Sequence, residues 1–396
     1  MHRSDYAGTM KIRSLTFHVL HVSPKTNWSF VRVETECERI GWGECSLNGW
    51  ETLQREYCAQ FSSTVVGRDI ANVDDASAAC MLHLHSPGGL IEHSVKSATE
   101  QALLDVLAQR DAVPVWALFG EAKRPSVEVY ANINRATNPR TPEGFVASAR
   151  NAIAAGFGAI KLAPFDGVLP VNAETDAGGA LIEAALARIR AVRDAIGFDV
   201  KLMVDCHWRL TPKTSRNVLD ELREAKLHWL ECPISEQPQW HADIRTIRDY
   251  ANAQNVRLAG AEMQNEVEGF RPFIERGLYD TIMPDVKYCG GVTAMRKIAE
   301  LAAKHKVQTA PHNPTGPICS FASLQSCIAG TGCDFLELQV GESALFTEAV
   351  HGQSPVFANS HFTAPTQIGI GAALDEIVLG AHPYAPVTGG LDPSLG

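Results

Sequence analysis

The 396-residue chain has no window approaching the ~20 consecutive apolar residues that a bilayer span requires, so no membrane-spanning helix is expected. Basic runs are missing as well. Lys and Arg number 35 against 45 Asp and Glu, a net charge of −10, and such a chain is a poor partner for nucleic acid or an anionic membrane. The ten cysteines include no Cys-x-x-Cys pair, and the chain is too large to depend on disulfide staples. Most sit beside small or apolar residues, as at Cys80, Cys319 and Cys327, where a free thiol serves as a small hydrophobe. Reduced thiols in the cytoplasm are the expected state. A Gly-rich phosphate turn after an early strand is also absent. Cys289-Gly290-Gly291 lacks the spacing, which disfavours a doubly wound nucleotide-binding sheet. The opening MHRSDYAGTMKIRS holds no apolar stretch or small-residue cleavage site, so a secretory leader is not expected. Met10 opens the first strand-like run, leaving residues 1–9 as a frayed leader or a misassigned start.

Apolar residues make up 45% and charged residues 20%, the balance of a soluble globule. The length suits two or three domains, or one large barrel with an appendage. From about residue 126, short β-rich runs recur: VEVYA, FGAIKL, VKLMVD, LHWLE, VRLAG, DTIMP, VQTAP and DFLEL. Helix-like segments lie between them, such as EGFVASARNAIAAG, GGALIEAALARIRAVRDAIG and GVTAMRKIAELAAKHK, with Gly156 and Gly197 at C-cap positions. Eight strands alternating with helices predict an α/β fold, a (β/α)8-type TIM barrel over 126–344. Before 126 the texture changes to antiparallel strands (KIRSLTFHVL, SFVRVETECERIGWGEC) and a long helix. An α+β capping domain is therefore expected from 1–125, completed by 345–396.

Ionisable residues stand at the strand tips, where barrel ligands collect. They are Lys161, Asp205, Glu231, Glu262, Asp285, His312 and Glu337, and from 205 onward they are spaced by 26, 31, 23, 27 and 25 residues. One unit per gap makes them neighbours around a ring. Asp205, Glu231 and Glu262 would repel one another without a cation, and an all-oxygen set points to Mg²⁺. Asp285 beside His312 makes a general base near neutral pH. Lys161 is suited to neutralise a substrate carboxylate or its enolate.

These tips, taken with GWGEC, ALLDVLAQRDAVPVWALFG, VDCHWRL, LECP, AGAEM, MPDVKYCGG and APHNPTGPI, resemble the enolase superfamily and within it the mandelate racemase group. The resemblance implies a modified barrel of the (β/α)7β type with a cap. It also implies one Mg²⁺ per subunit on Asp205, Glu231 and Glu262, a His312–Asp285 base, and Glu337 hydrogen-bonded to an enolate. Two departures narrow it. Ala163 stands where the racemase pattern places a second lysine, which disables two-base racemisation. His207 lies two residues after the metal aspartate, followed by Arg209-Leu-Thr-Pro, and this resembles the galactonate and mannonate dehydratases, where such a histidine is the general acid. The alternative for His207 is a residue that orients a metal ligand.

The implied activity is Mg²⁺-dependent dehydration of a small sugar acid to a 2-keto-3-deoxy acid. Epimerisation or cycloisomerisation through the same enolate, or a metal-binding barrel without catalysis, are the alternatives. Substrate-binding candidates are Trp28, Asn48 and Trp50 in the cap loops and Arg209 on the barrel. Trp28, Asn48 and Trp50 could equally serve cap packing. The resemblance further implies a homo-oligomer in the cytoplasm acting on a small carboxylate.

Overall fold

The computed structural model describes residues 10–81, 89–352 and 355–388, so the expectation for residues 1–9 lies outside the described residues. Strands β1 (Ile12–Ser23), β2 (Thr26–Thr35) and β3 (Ile40–Glu44) form an antiparallel sheet. Helices α1 (Glu51–Val65), α2 (Val73–Met81) and α3 (Leu90–Asp111) follow, and α3 is buried continuously from Glu92 to Ala108. Packing against α3 explains the Gly-Trp-Gly-Glu run of β3. Gly41 and Gly43 share one face of the strand. A Cβ there would lie 2.2 Å from the Ala102 carbonyl oxygen or 1.9 Å from that of Ala98. Only glycine lets this strand lie directly on the helix.

The barrel strands are β4 (Ser126–Asn132), β5 (Ala159–Leu162), β6 (Lys201–Asp205), β7 (Trp229–Glu231), β8 (Arg257–Gly260), β9 (Thr281–Ile282), β10 (Gln308–Thr309) and β11 (Phe335–Gln339). Each pairs in parallel with the next up to β10, β11 pairs with β4, and a bridge between Thr309 and Cys333 completes the ring. All eight fall on the runs expected from sequence. The intervening helices are α4 (Pro142–Ala154), α5 (Asp176–Ile196), α6 (Pro212–Glu221), α7 (His241–Asn252), α8 (Glu266–Glu275), α9 (Val292–Lys304) and α10 (Pro317–Ala329). The (β/α)7β arrangement is thus present. Thr141, Thr175 and Thr211 cap α4, α5 and α6 through their hydroxyls, as threonine before a helix should.

Helices α9 and α10 begin after glycines, Gly291 and Gly316, and have no side-chain cap of their own. The capping domain supplies one to each. Glu100 of α3 accepts from the Val292 and Thr293 amides at 2.8 and 3.1 Å. Glu44, at the end of β3, accepts from the Gly316 and Cys319 amides at 2.8 and 2.9 Å and from the Thr315 hydroxyl at 2.6 Å. A carboxylate at a helix N-terminus satisfies orphan N–H groups and meets the positive end of the dipole. These contacts fix the cap on the barrel mouth.

The returning segment comprises α11 (Leu345–Glu348), β12 (Val350–Gly352), β13 (Phe357–Ala358), β14 (His361–Thr363), β15 (Ala372–Leu374) and α12 (Glu376–Ala381). Asp105 of α3 accepts from the Ile370 amide at 2.8 Å and the Trp42 amide at 3.1 Å, tying this return to the cap; burial lifts its carboxyl to about 6. One part departs from the expected partition, in which everything after 345 completes the cap. Strand β14 pairs antiparallel with β4, so the β13–β14 hairpin extends the barrel sheet instead. The outer edge at the start of β4, before β5 joins it at Ala131, offers free backbone groups that the hairpin satisfies.

Replacing Glu44 by alanine strands several buried donors at the α10 terminus. At about 1–3 kcal/mol for each unsatisfied group, with partial relief by relaxation, Glu44→Ala should lose about 2–4 kcal/mol of unfolding free energy in urea titrations. A loss below about 0.5 kcal/mol would show that the joint does not depend on this carboxylate.

Candidate active site

Side chains two apart on a strand face the same way, and this builds the site in two layers. The lower layer inside the barrel is Tyr130, Ala159, Met203, Trp229, Ala259, Met283, Ala310 and Phe335, one residue from each strand or, for Met283 and Ala310, from the position just after it. Two positions onward lie Asn132, Lys161, Asp205, Glu231, Ala261, Asp285, His312 and Glu337. Ala261 breaks the polar ring. Its φ of 69° turns the chain, its amide donates to Glu236 at 2.6 Å, and Glu262 becomes the acid of that unit.

Lys161 is the hub. Its Nζ donates to Glu231 Oε1 at 2.5 Å and to Glu337 Oε1 at 2.8 Å, and lies 3.9 Å from Asp205 Oδ2. Tyr130 lies beneath it, with Nζ 5.7 Å from the ring centroid. Burial opposes the charge on Lys161, but these carboxylates outweigh burial and raise its pKa. Glu337 also accepts from Asn132 Nδ2 at 2.7 Å and the Asn313 amide at 2.9 Å, while Glu231 accepts from Trp229 Nε1 at 2.8 Å. Against the upward push of burial, Lys161 and His312 hold Glu337 below its ordinary value.

The imidazoles stand at two other tips. His312 Nδ1 is 2.8 Å from Asp285 Oδ2, and Lys287 Nζ is 2.7 Å from the same oxygen. Burial pushes Asp285 up, but Lys287 and then His312 bring it below the usual carboxylate range. An Nδ1–H donated to this carboxylate leaves Nε2 as the basic nitrogen. His207 reaches back to Asp205. Its Nε2 is 2.8 Å from Oδ2 and its amide donates to Oδ1 at 2.9 Å, in a turn where His207 and Trp208 have φ of 47° and 55°. Burial lowers the imidazole, but Asp205 outweighs it and raises His207, and the pairing in turn holds Asp205 down despite burial.

Asp205, Glu231 and Glu262 offer oxygens that all lie within 4.8 Å of one another. All three are buried, and burial raises Glu231 to about 8. Burial, Asp205 and Glu231 push Glu262 well above the carboxylate range. Among the described residues its oxygens have as hydrogen-bond or ion-pair partners a thiol, Cys232 Sγ at 3.7 Å, and His312 Nε2 at 3.7 Å. A buried carboxylate with such weak partners beside two others is a poor arrangement for protein alone. It is a good one for a hard cation, so the donor set fits a divalent metal ion.

A cavity of about 290 Å³ opens above these residues, walled by Lys161, Asp205, His207, Glu262, Lys287 and His312 from the barrel and by Thr26, Asn27, Trp28, Ser46, Leu47 and Asn48 from the cap. Both imidazoles therefore face one space. Trp28 and Asn48 stand on the cavity wall; Trp50 and Arg209 do not. Trp50 precedes α1, its amide bonded to the Leu47 carbonyl, and Arg209 is drawn to the Val168 carbonyl at 3.2 Å. Asn132, Lys287 and Gln339 were not among the residues expected. Counting two positions on from Tyr130 along β4 would have found Asn132, whereas Lys287 lies in the turn after β9, where strand alternation gives no signal.

With this geometry in hand, similarity to known proteins becomes informative. Residues 144–378 match the family model described as "Enolase C-terminal domain-like", and residues 12–120 match "Mandelate racemase / muconate lactonizing enzyme, N-terminal domain". The capped barrel with an acidic tip is thus that of a known class of protein. The chain belongs to the enolase superfamily, in its mandelate racemase/muconate lactonizing enzyme group. It is 27% identical over 388 residues to a D-galactonate dehydratase family member of Streptomyces bingchenggensis (strain BCW-1), covering 93% of this chain and 92% of that one. It is 28% identical over 389 residues to a D-mannonate dehydratase of Caulobacter sp. (strain K31), covering 92% and 94%. Its fold matches a mandelate racemase/muconate lactonizing enzyme from Jannaschia sp. CCS1, with a TM-score of 0.83, 22% identity and coverage of 95% and 98%. It also matches a member of the enolase superfamily from Salmonella Typhimurium, with a TM-score of 0.83, 22% identity and coverage of 94% and 98%. Among the described residues no helix is long and apolar enough to cross a membrane.

Occupancy of the carboxylate triad should register as stability. A divalent cation at 100 times its Kd adds about 2.7 kcal/mol to the folded state, so Mg²⁺ should raise the thermal midpoint of the wild type. Glu262→Gln should lose that response. An equal response in both proteins would place the ion elsewhere.

Proposed function

We propose that this protein is a Mg²⁺-dependent dehydratase that converts a small sugar acid to a 2-keto-3-deoxy acid, in the cytoplasm. The observation that carries this reading is the pair of imidazoles, His312 on Asp285 and His207 on Asp205, opening onto one cavity above the carboxylate triad. Likeness to galactonate and mannonate dehydratases over more than nine-tenths of the chain supports it. Ala163 is buried and does not line the cavity, so the Lys161 strand offers one lysine rather than two.

Asp205, Glu231 and Glu262 would hold the ion. When bound, Mg²⁺ supplies Lewis-acid stabilisation of negative charge that develops on the substrate carboxylate. Lys161 adds fixed positive charge at that carboxylate, and Glu337 behind it holds the ammonium in place. His312 Nε2 removes the proton from C2. His207 donates a proton to the C3 hydroxyl as the C3–O bond breaks and water leaves. The resulting enol ketonises to the 2-keto-3-deoxy acid. Acid and base assistance contribute roughly 10²–10⁴-fold each. Trp28 and Asn48 line the cavity from the cap, where they would face the distal hydroxyls of the substrate.

Two substitutions separate the roles. His312→Asn should abolish exchange of the C2 proton with solvent deuterium and stop dehydration. His207→Asn should lower dehydration by at least about 10²-fold while C2 exchange continues, and Mg²⁺ binding should be kept. Loss of exchange, turnover and Mg²⁺ affinity together in His207→Asn would make His207 a support for Asp205. A product of unchanged mass from the wild type would indicate epimerisation or cycloisomerisation instead.

A further inference from the structure

Lys287 is a buried ammonium on the cavity wall that the scheme above does not use. Its side chain is 2% exposed, and its Nζ donates to Asp285 Oδ2 at 2.7 Å. An ammonium has three protons, and among the described residues Asp285 is its one hydrogen-bond acceptor. Two more polar atoms on the same wall, Trp28 Nε1 and Gln339 Oε1, are buried and lack a partner among the described residues. Native interiors rarely leave such groups unpaired, so the residues lining this cavity hold hydrogen-bonding capacity that the protein itself does not use.

The place of Lys287 says which end of the ligand it meets. Lys161 is held at the barrel floor by Glu231 and Glu337. Lys287 stands at a different tip, on Asp285 and with Nζ 5.0 Å from the Tyr288 ring centroid, and it lines the same cavity as Trp28 and Asn48 of the cap. A substrate anchored by its carboxylate at Lys161 would extend its remaining carbons into the cavity that Lys287 helps to wall. Asp285 already balances the ammonium, so a neutral oxygen suffices as acceptor and a second carboxylate is not needed.

We propose that Lys287 donates a hydrogen bond to a substrate hydroxyl beyond C3, selecting acids that are hydroxylated at C4 or C5. This inference rests on the dehydration reading. It makes Lys287 a specificity-determining residue as well as a neighbour of the base.

The test is a cycle between protein and substrate. kcat and KM are measured with Mg²⁺ for the wild type and Lys287→Met, on a sugar acid that the wild type dehydrates and on its 4-deoxy and 5-deoxy analogues. The wild type should prefer the hydroxylated acid over one analogue by about 10- to 100-fold in kcat/KM. In Lys287→Met that preference should fall to within about threefold. A lysine that merely supports Asp285 would lower all three substrates by one common factor, and an unchanged preference in the variant overturns the assignment. Should Lys287→Met fail to fold, Lys287→Gln, which keeps a donor toward Asp285, is measured in the same way and should also show a reduced preference. A wild type that dehydrates sugar acids with no preference at C4 or C5 overturns this inference alone. A wild type that turns over no sugar acid overturns the dehydration reading, and this inference with it.

Discussion

Buried negative charge is the constraint around which the molecule is arranged. Asp205, Glu231, Glu262, Asp285 and Glu337 meet at one end of the barrel, none more than 4% exposed. Taking one ionised carboxylate out of water is expensive, and taking five into one place is far more so unless cations and donors answer them. Lys161 answers three and Lys287 answers Asp285, while His207 and His312 each complete one carboxylate. Glu262 is left with the weakest partners, and it is where the account needs a metal ion. Uncompensated carboxylates would repel any further negative charge brought to this end of the barrel, so a ligand anion there has to be met by fixed cationic groups such as Lys161.

The cap is joined to this chemistry by a physical link as well as by proximity. His312 is followed by Asn313, whose amide donates to Glu337 and whose Nδ2 donates to the Glu337 carbonyl at 2.9 Å. Three residues later Glu44 takes the Thr315 hydroxyl and the amides that open α10. The loop bearing His312 is therefore held from below by β11 and from above by β3. Gly41 and Gly43 permit that approach by letting β3 rest on α3. The two glycines of this strand are a packing requirement that reaches to the imidazole.

Much of this was legible in the chain because two periodicities coincide. Strands recur once per βα unit, and within each strand the inward residues recur every second position, so the polar tips announce themselves at nearly even spacing. The irregular gap before Glu262 is where the rule slips: the left-handed turn at Ala261, braced by Glu236, moves the acid one residue on. Asn132 was hidden because an amide at a strand end resembles any turn residue. Lys287 was hidden because a lysine in a loop is ordinarily solvated, and only packing shows it to be buried. Trp50 and Arg209 were drawn into the expected site by adjacency in sequence, yet neither lines the cavity, and the Arg209 guanidinium bonds the Val168 carbonyl, 41 residues away in the chain. The β13–β14 hairpin on β4 was illegible for a different reason. Its strands are two and three residues long, and what holds them is the backbone edge they complete.

The central claim is that three carboxylates from consecutive strands converge on one divalent ion, and anomalous diffraction from crystals soaked in Mn²⁺ tests it most directly. The account predicts a single strong peak about 2.1 Å from an oxygen of each of Asp205, Glu231 and Glu262. A peak bound by only one of them, or a cavity without a peak at saturating Mn²⁺, would contradict it.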